Sequence, residues 1–251
     1  MTKTANDGDS GNNGMPLVAH IKELRSVLIR CGCAVILCAI PCAIYWKQIF
    51  DFIVSHSLKL CQPAVRIIYT APAETVMLSI KIALVCGLIL ASPVVFLLIW
   101  GFISPALYKK EKILVLPTAF ASTVCFLLGM VFSYYVLPLT LKFLTEFATG
   151  TLDPFFKVDE YFGFLIKISL SFGFAFQLPV AAFLFSKFGW IDHKFLLRNF
   201  RYAIVLIFIV AAIITPPDVL SQILLALPLL VLYAISILIS FLVGRKKWQA
   251  E

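Results

Sequence analysis

Few side chains in this 251-residue chain could do chemistry, and their spacing excludes most of it. The three histidines, His20, His56 and His193, fall in separate segments without ligand spacing. His20-Ile21-Lys22-Glu23 lacks the second histidine of a zinc-protease helix, and no G-x-x-x-x-G-K-[ST] phosphate loop occurs. Gly8-Asp9-Ser10-Gly11 resembles part of a nucleophile turn, but no strand or helix is expected around it to position a serine. Six of the seven cysteines (Cys31, Cys33, Cys38, Cys42, Cys86 and Cys125) lie inside apolar runs, where cysteine behaves as a small hydrophobe. Cys61 falls in an expected outer loop with no outer partner, so no disulfide framework is expected. These patterns predict neither an enzyme nor a metal or cofactor site. What stands out instead is a set of isolated polar groups. Glu23 and Glu111 are carboxylates in strongly basic surroundings, Glu111 lying between Lys109-Lys110 and Lys112. They either balance local charge or form a cleft for a cationic ligand, and two carboxylates suit two guanidinium groups because each pair is bidentate. Gln177 lies mid-way through an apolar run, where an amide either glues helices together or serves a ligand or proton path. Asp218 follows two prolines as a helix N-cap would, and Gln222 sits one turn later on the same face.

The elements that position these groups are membrane helices. Sixty-one per cent of residues are apolar and 14% charged, against roughly 45–50% and 25% in an average soluble domain, so lipid must cover part of the surface. Runs near the roughly 20 residues that span a bilayer occur at 27–46, 76–100, 113–139, 161–188 and 219–243, with a shorter one at 202–215. They are continuous rather than alternating, which excludes a β-barrel. The expected fold is an all-α polytopic membrane protein of about six transmembrane helices with a short fifth helix. Residues 1–15 read as a polar, disordered N-terminal tail and not a cleavable signal peptide, 16–243 as the membrane domain, and 244–251 as a cytoplasmic C-terminal tail. The segment 16–30 carries Leu17, Ile21, Leu24 and Leu28 on one stripe and reads as an interfacial helix running into the first span. With the N-terminus inside, fourteen Lys and Arg fall in inner segments and five in outer loops, which places both termini in the cytoplasm. Lys81 and Lys167 lie just inside the outer ends of their helices, within snorkelling reach. The +8 net charge therefore follows the membrane and implies no nucleic-acid partner. No internal repeat of the kind that builds many small-solute transporters is visible.

Five motifs then appear in order. His20-Ile21-Lys22-Glu23-Leu24-Arg25 resembles the H-x-x-E-L-R opening of the TatC family, the signal-peptide receptor subunit of twin-arginine (Sec-independent) protein translocases. Thr70-Ala71-Pro72-Ala73-Glu74 resembles its first external loop, and the run from Phe102 to Glu111 (FISPALYKKE) its first cytoplasmic loop. Phe176-Gln177-Leu178-Pro179-Val180 resembles its fourth span, and the run from Thr215 to Gln222 (TPPDVLSQ) its last hairpin. The resemblance covers about 16–243. It implies a receptor for twin-arginine signal peptides of folded cargo, assembled in a multimeric complex with TatA-type and TatB-type single-span subunits. It also implies export driven by the proton-motive force across a bacterial inner or organellar energy-transducing membrane. Carried over, Glu23, Phe102 and Glu111 would form the arginine-binding area, with Arg25, Pro72, Tyr108, Gln177, Asp218 and Gln222 as supporting positions. Two positions depart from the family: Gln177 stands where a glutamate is frequent, and Val27 where a basic residue is frequent.

The alternative from another class is a six-helix secondary transporter of a small cationic solute, with Gln177 as a midplane ligand. It predicts ligand carboxylates near the midplane, whereas Glu23 and Glu111 flank the membrane. The charge asymmetry yields a direct test of topology. An impermeant thiol reagent on whole cells should label single cysteines at Asp51, Cys61 and Asp153, and should spare those at Lys110, His193 and Lys247. Labelling at Lys110 without permeabilisation would invert the map.

Overall fold

The computed structural model describes residues 17–60, 66–103, 112–146, 155–215 and 219–248. The first helix, α1 (Leu17–Ile44), is continuous from the expected interfacial stripe into the first span, because no glycine or proline interrupts the first three turns. A bend at Tyr45 turns the chain into α2 (Trp46–Leu60), a strongly amphipathic helix that the sequence reading left as loop. Strand β1 (Arg66–Ile68) leads to α3 (Pro72–Ile103), a 3-10 turn at Lys112–Leu114 precedes α4 (Val115–Glu146), and strand β2 (Phe155–Lys157) precedes α5 (Val158–Ala175). The remaining helices are α6 (Leu178–Lys187), α7 (His193–Arg198), α8 (Phe200–Ile214) and α9 (Val219–Trp248). Five spans are long and apolar enough to cross a membrane (α1, α3, α4, the α5–α6 pair and α9), and α8 is a shorter apolar helix. That is the six-helix architecture the apolar runs predict.

The fourth span differs from its expectation of one uninterrupted helix. Pro179 has no N–H to offer the Ala175 carbonyl, so the helix breaks at Phe176 and Gln177. The turn is held by bonds from Phe176 N to Phe172 O (2.9 Å) and from Gln177 N to Phe174 O (2.9 Å). At its far end α6 closes on Gly189 at φ 76°, with Trp190 N donating to Phe185 O (2.9 Å) and Gly189 N to Ser186 O (3.1 Å), the double bond of a Schellman cap.

The core lies among α3, α4, α5, α8 and α9, around Leu78, Leu137, Phe162, Ile168, Phe172, Ala211 and Leu225. Lipid removes any hydrophobic drive between helices, so close approach of backbones must hold them. A Cβ on Gly129 would lie 2.6 Å from Phe172 O, and one on Gly87 2.8 Å from the Ala39 backbone. The first contact sets α4 on α5, and the second sets α1 on α3. At the end of the bundle holding the α1–α3 connection, α2 packs on α3 and α4, stacking Phe50 on Phe162 (5.2 Å) and Phe52 on Tyr134 (5.7 Å). There β1 and β2 pair in parallel, Arg66 opposite Phe155. The sequence reading gave both strands as loop, since three residues carry no readable alternation.

Helix α8 has 15 residues, which at about 1.5 Å each reach roughly 22 Å, short of a hydrocarbon core of about 30 Å. Its partner α9 starts at Val219, and the link Pro216-Pro217-Asp218 lies outside the described residues. Alone α8 is too short to cross such a core, and a hairpin that stopped short of the far surface would thin the bilayer there. A spin label at Val219 should be less accessible to a water-soluble relaxation agent than one at Tyr69; equal accessibility would refute the thinning.

Candidate functional site

The helices alternate in direction, so the start of α1, the end of α3, the start of α4, α7 and the end of α9 share one end of the bundle. On α1 the buried and half-buried positions form a stripe through Glu23, Val27, Cys31, Ala34, Cys38 and Cys42, which packs chiefly on α3. Glu23 heads that stripe and is half-buried. Its height follows from the Ala39–Gly87 contact between these antiparallel helices. Glu23 lies sixteen residues before Ala39 and Phe102 fifteen after Gly87, about 24 and 22 Å along the axes. The carboxylate and the ring thus share one level at one edge of the bundle. Phe102 is half-buried and already engaged with a neighbour. Arg25 is exposed, two positions on from Glu23. Among the described residues Glu23 has no ion-pair partner, whereas Asp192, the other described side-chain carboxylate at this end, holds His193 Nδ1 at 2.8 Å. Tyr108, Glu111 and Asp218 lie outside the described residues.

Pro72 has a local role visible in the backbone. It opens α3 as the first helical residue, where a missing N–H costs nothing. Glu74 then reaches back: its carboxylate accepts from Thr70 N (2.9 Å) and from the Thr70 hydroxyl. The sequence Thr70-Ala71-Pro72-Ala73-Glu74 is thereby a helix start of the capping-box kind. Pro72 sits at the opposite end of α3 from Phe102 and is not brought to Glu23.

Gln177 acts across helices. Its Nε2 donates to Ser122 O on α4 (3.0 Å), while Trp100 Nε1 on α3 donates to the Ser122 hydroxyl (2.9 Å). Ser122 is fully buried, so three spans are tied at one residue. The Gln177 half of this node was readable as an amide needing a partner in lipid; Trp100 and Ser122 were not, because neither is unusual in an apolar run. Gln222 does the equivalent in the last hairpin, its Nε2 donating to Phe208 O on α8 (3.0 Å). A further ion pair escaped the sequence: Lys81 on α3 binds Asp159 at the start of α5, both half-exposed, and so fastens the end of the bundle that holds the α1–α3 connection. Its two members are far apart in the chain, and their spacing carries no signal.

No group of three or more His, Cys, Asp or Glu able to hold a metal occurs among the described residues. A half-buried carboxylate with no ion-pair partner among the described residues, level with an aromatic ring at the basic end of a membrane bundle, can bind a cation.

Comparison with known proteins accords with this reading. Residues 19–228 match the family model described as Sec-independent protein translocase protein (TatC). The Sec-independent protein translocase protein TatC of Helicobacter pylori strain J99 is 41% identical over 229 residues, covering 91% of this chain and 90% of that one. The Aquifex aeolicus strain VF5 protein of the same name is 40% identical over 240 residues, covering 94% and 99%. The fold is similar to a crystal structure of the twin arginine translocase receptor TatC, with a TM-score of 0.81 and 39% identity over 89% of this chain and 99% of that one. The chain is a multi-pass membrane protein and belongs to the TatC family of Sec-independent protein translocase proteins.

Proposed function

We propose that this protein is the signal-peptide receptor of a twin-arginine translocase and that Glu23, Phe102 and Glu111 receive the paired arginines. The observation carrying this reading is Glu23: a half-buried carboxylate level with Phe102, with no ion-pair partner among the described residues. A guanidinium offers that carboxylate a planar two-pronged donor and can lie on the Phe102 ring; an ammonium offers a point charge. The neighbouring lysines repel any cation that is not aimed at the carboxylates, which adds specificity. Membership of the family supports assembly with TatA-type and TatB-type single-span subunits in a cell inner membrane, with both termini cytoplasmic and export driven by the proton-motive force. The fourteen-to-five charge asymmetry supports the orientation. The receptor performs no covalent reaction in this reading. Gln177 supports it over a small-cation transporter, because its amide is spent donating to a backbone carbonyl of α4.

Each partly buried, charge-assisted pair contributes roughly 1.5–3 kcal/mol, so losing one should weaken binding about tenfold or more. Affinity for a twin-arginine peptide, measured on the detergent-solubilised protein, should fall in Glu23→Ala and in Glu111→Ala. A twin-lysine peptide should bind the wild type more weakly than the twin-arginine one. Gln177→Ala should keep its affinity and impair a later step of export, read in a transport assay on membrane vesicles. Unchanged affinity in both glutamate variants would remove the site.

A further inference from the structure

The connection from α6 to α8 carries cations with a single acid among them. Lys187, Lys194, Arg198 and Arg201 are all exposed within 15 residues, and the only acid between Tyr161 and Thr215 is Asp192. Asp192 is already occupied, accepting from His193 N (2.8 Å) as the cap of α7 and holding the His193 ring. None of the four cations has a carboxylate partner among the described residues. Two rest on aromatic faces instead, Lys187 on Phe183 (5.6 Å) and Arg201 on Tyr202 (4.9 Å). Lys194 and Arg198 stand four apart on α7, an arrangement of like charges that opposes helix formation unless an anion lies between them.

The same connection presents large apolar side chains outward. Trp190 is 71% exposed, and Phe195 and Leu197 are each 55% exposed. They are held there by structure. The Schellman cap at Gly189 fixes Trp190, whose ring stacks on Phe185 (6.0 Å, 18°). Helix α7 is pinned to α9 by Tyr233 Oη donating to Leu196 O (3.0 Å) and by the His193 ring set edge-on against Phe241 (5.2 Å). A rigid corner with cations and apolar anchors side by side matches an amphiphile with an anionic head. In the sequence, Arg245, Lys246 and Lys247 at the end of α9 add to the same end.

We propose that the α6–α8 connection is a binding site for an anionic phospholipid, with Lys194, Arg198 and Arg201 on the phosphate and Trp190, Phe195 and Leu197 in the acyl layer. The site is separate from the Glu23 edge and selects the opposite charge. A cationic signal sequence is repelled from it, and lipid bound there neutralises the corner without occupying the arginine site.

Brominated lipid quenches tryptophan on contact, and Trp190 reports from the site itself. The full chain is reconstituted in phosphatidylcholine vesicles containing a small, equal fraction of brominated phosphatidylglycerol or brominated phosphatidylcholine. The Trp190 signal is the difference between wild type and Trp190→Phe. Brominated phosphatidylglycerol should quench it about threefold more effectively, and the preference should vanish in the Lys194→Gln, Arg198→Gln, Arg201→Gln triple variant. Equal quenching by the two lipids in the wild type, or a preference surviving the triple substitution, would overturn the proposal. Loss of the preference when millimolar inorganic phosphate is added would do so too, by making the free ion the ligand. Should the triple variant fail to fold by circular dichroism, the wild type in about 1 M salt replaces it, since a Debye length of about 3 Å screens the headgroup. A preference that falls towards one there supports the site, and an unchanged preference refutes it.

Discussion

Hydrocarbon offers no hydrogen bonds, so every polar group this chain carries into the membrane must be satisfied by the chain itself. That constraint explains the continuous helices and also the behaviour of the hydroxyls. Ser92, Thr123, Ser133, Thr140, Thr215 and Ser236 each donate to a carbonyl three or four residues earlier in their own helix. Where a hydroxyl faces another span, it becomes a tie between helices: Ser133 to Ser169 at 2.9 Å joins α4 to α5, and Ser186 to Ser240 at 2.6 Å joins α6 to α9. The same accounting governs the proline break in the fourth span. At the break Gln177 N donates to Phe174 O in a tighter turn, and the side chain at the turn, Gln177, is bonded to α4.

Satisfying polar groups does not by itself bring helices together, and the lipid-facing side chains cannot, being as comfortable in lipid as in protein. Position is set by the few places where a missing side chain lets backbones meet. Because α1 packs chiefly on α3, the Gly87–Ala39 contact decides where Glu23 stands relative to Phe102. The candidate site at one end of the molecule thus inherits its geometry from a glycine near mid-membrane, some fifteen residues away. The larger unit of α4, α5, α8 and α9 has its own such contact at Gly129 and Phe172, and the Lys81–Asp159 pair joins α3 to it at the end away from Glu23.

What could be read from the sequence follows from the range of the interactions involved. Each apolar run declares itself, so the six helices were legible, as was the short fifth one. Glu23 and Gln177 were legible as polar groups out of keeping with their neighbours. Helix α2 was missed because its apolar positions are interrupted by Lys47, Asp51 and His56, which read as loop when no partner face is known. The fourth span was read as unbroken although Pro179 was in view, since proline near the middle of a membrane helix either kinks or breaks it and only the neighbouring helices decide. The β1–β2 pair, the Lys81–Asp159 pair and the Trp100–Ser122–Gln177 node all join segments distant in the chain. Nothing in the composition of either partner announces such a link.

Gln177 shows how the accounting bears on mechanism. The Ser122 carbonyl can only accept, so the group facing it must donate. An amide does so at any pH and carries no charge into the low-dielectric interior. A glutamate at this position, which the family resemblance makes frequent, could make the same bond only while protonated, and ionised would set its oxygens against the carbonyl. A proton-linked step at this node is therefore open to a glutamate and closed to Gln177. The break in the fourth span persists regardless, since Pro179 and not the side chain at 177 causes it. In this protein the hinge and its tie to α3 and α4 are present without an ionisable group. Gln177 therefore offers no titratable group to a proton-linked step, and its bonds tie the end of α3, where Phe102 and Trp100 lie two residues apart, through Ser122 to the bend between α5 and α6.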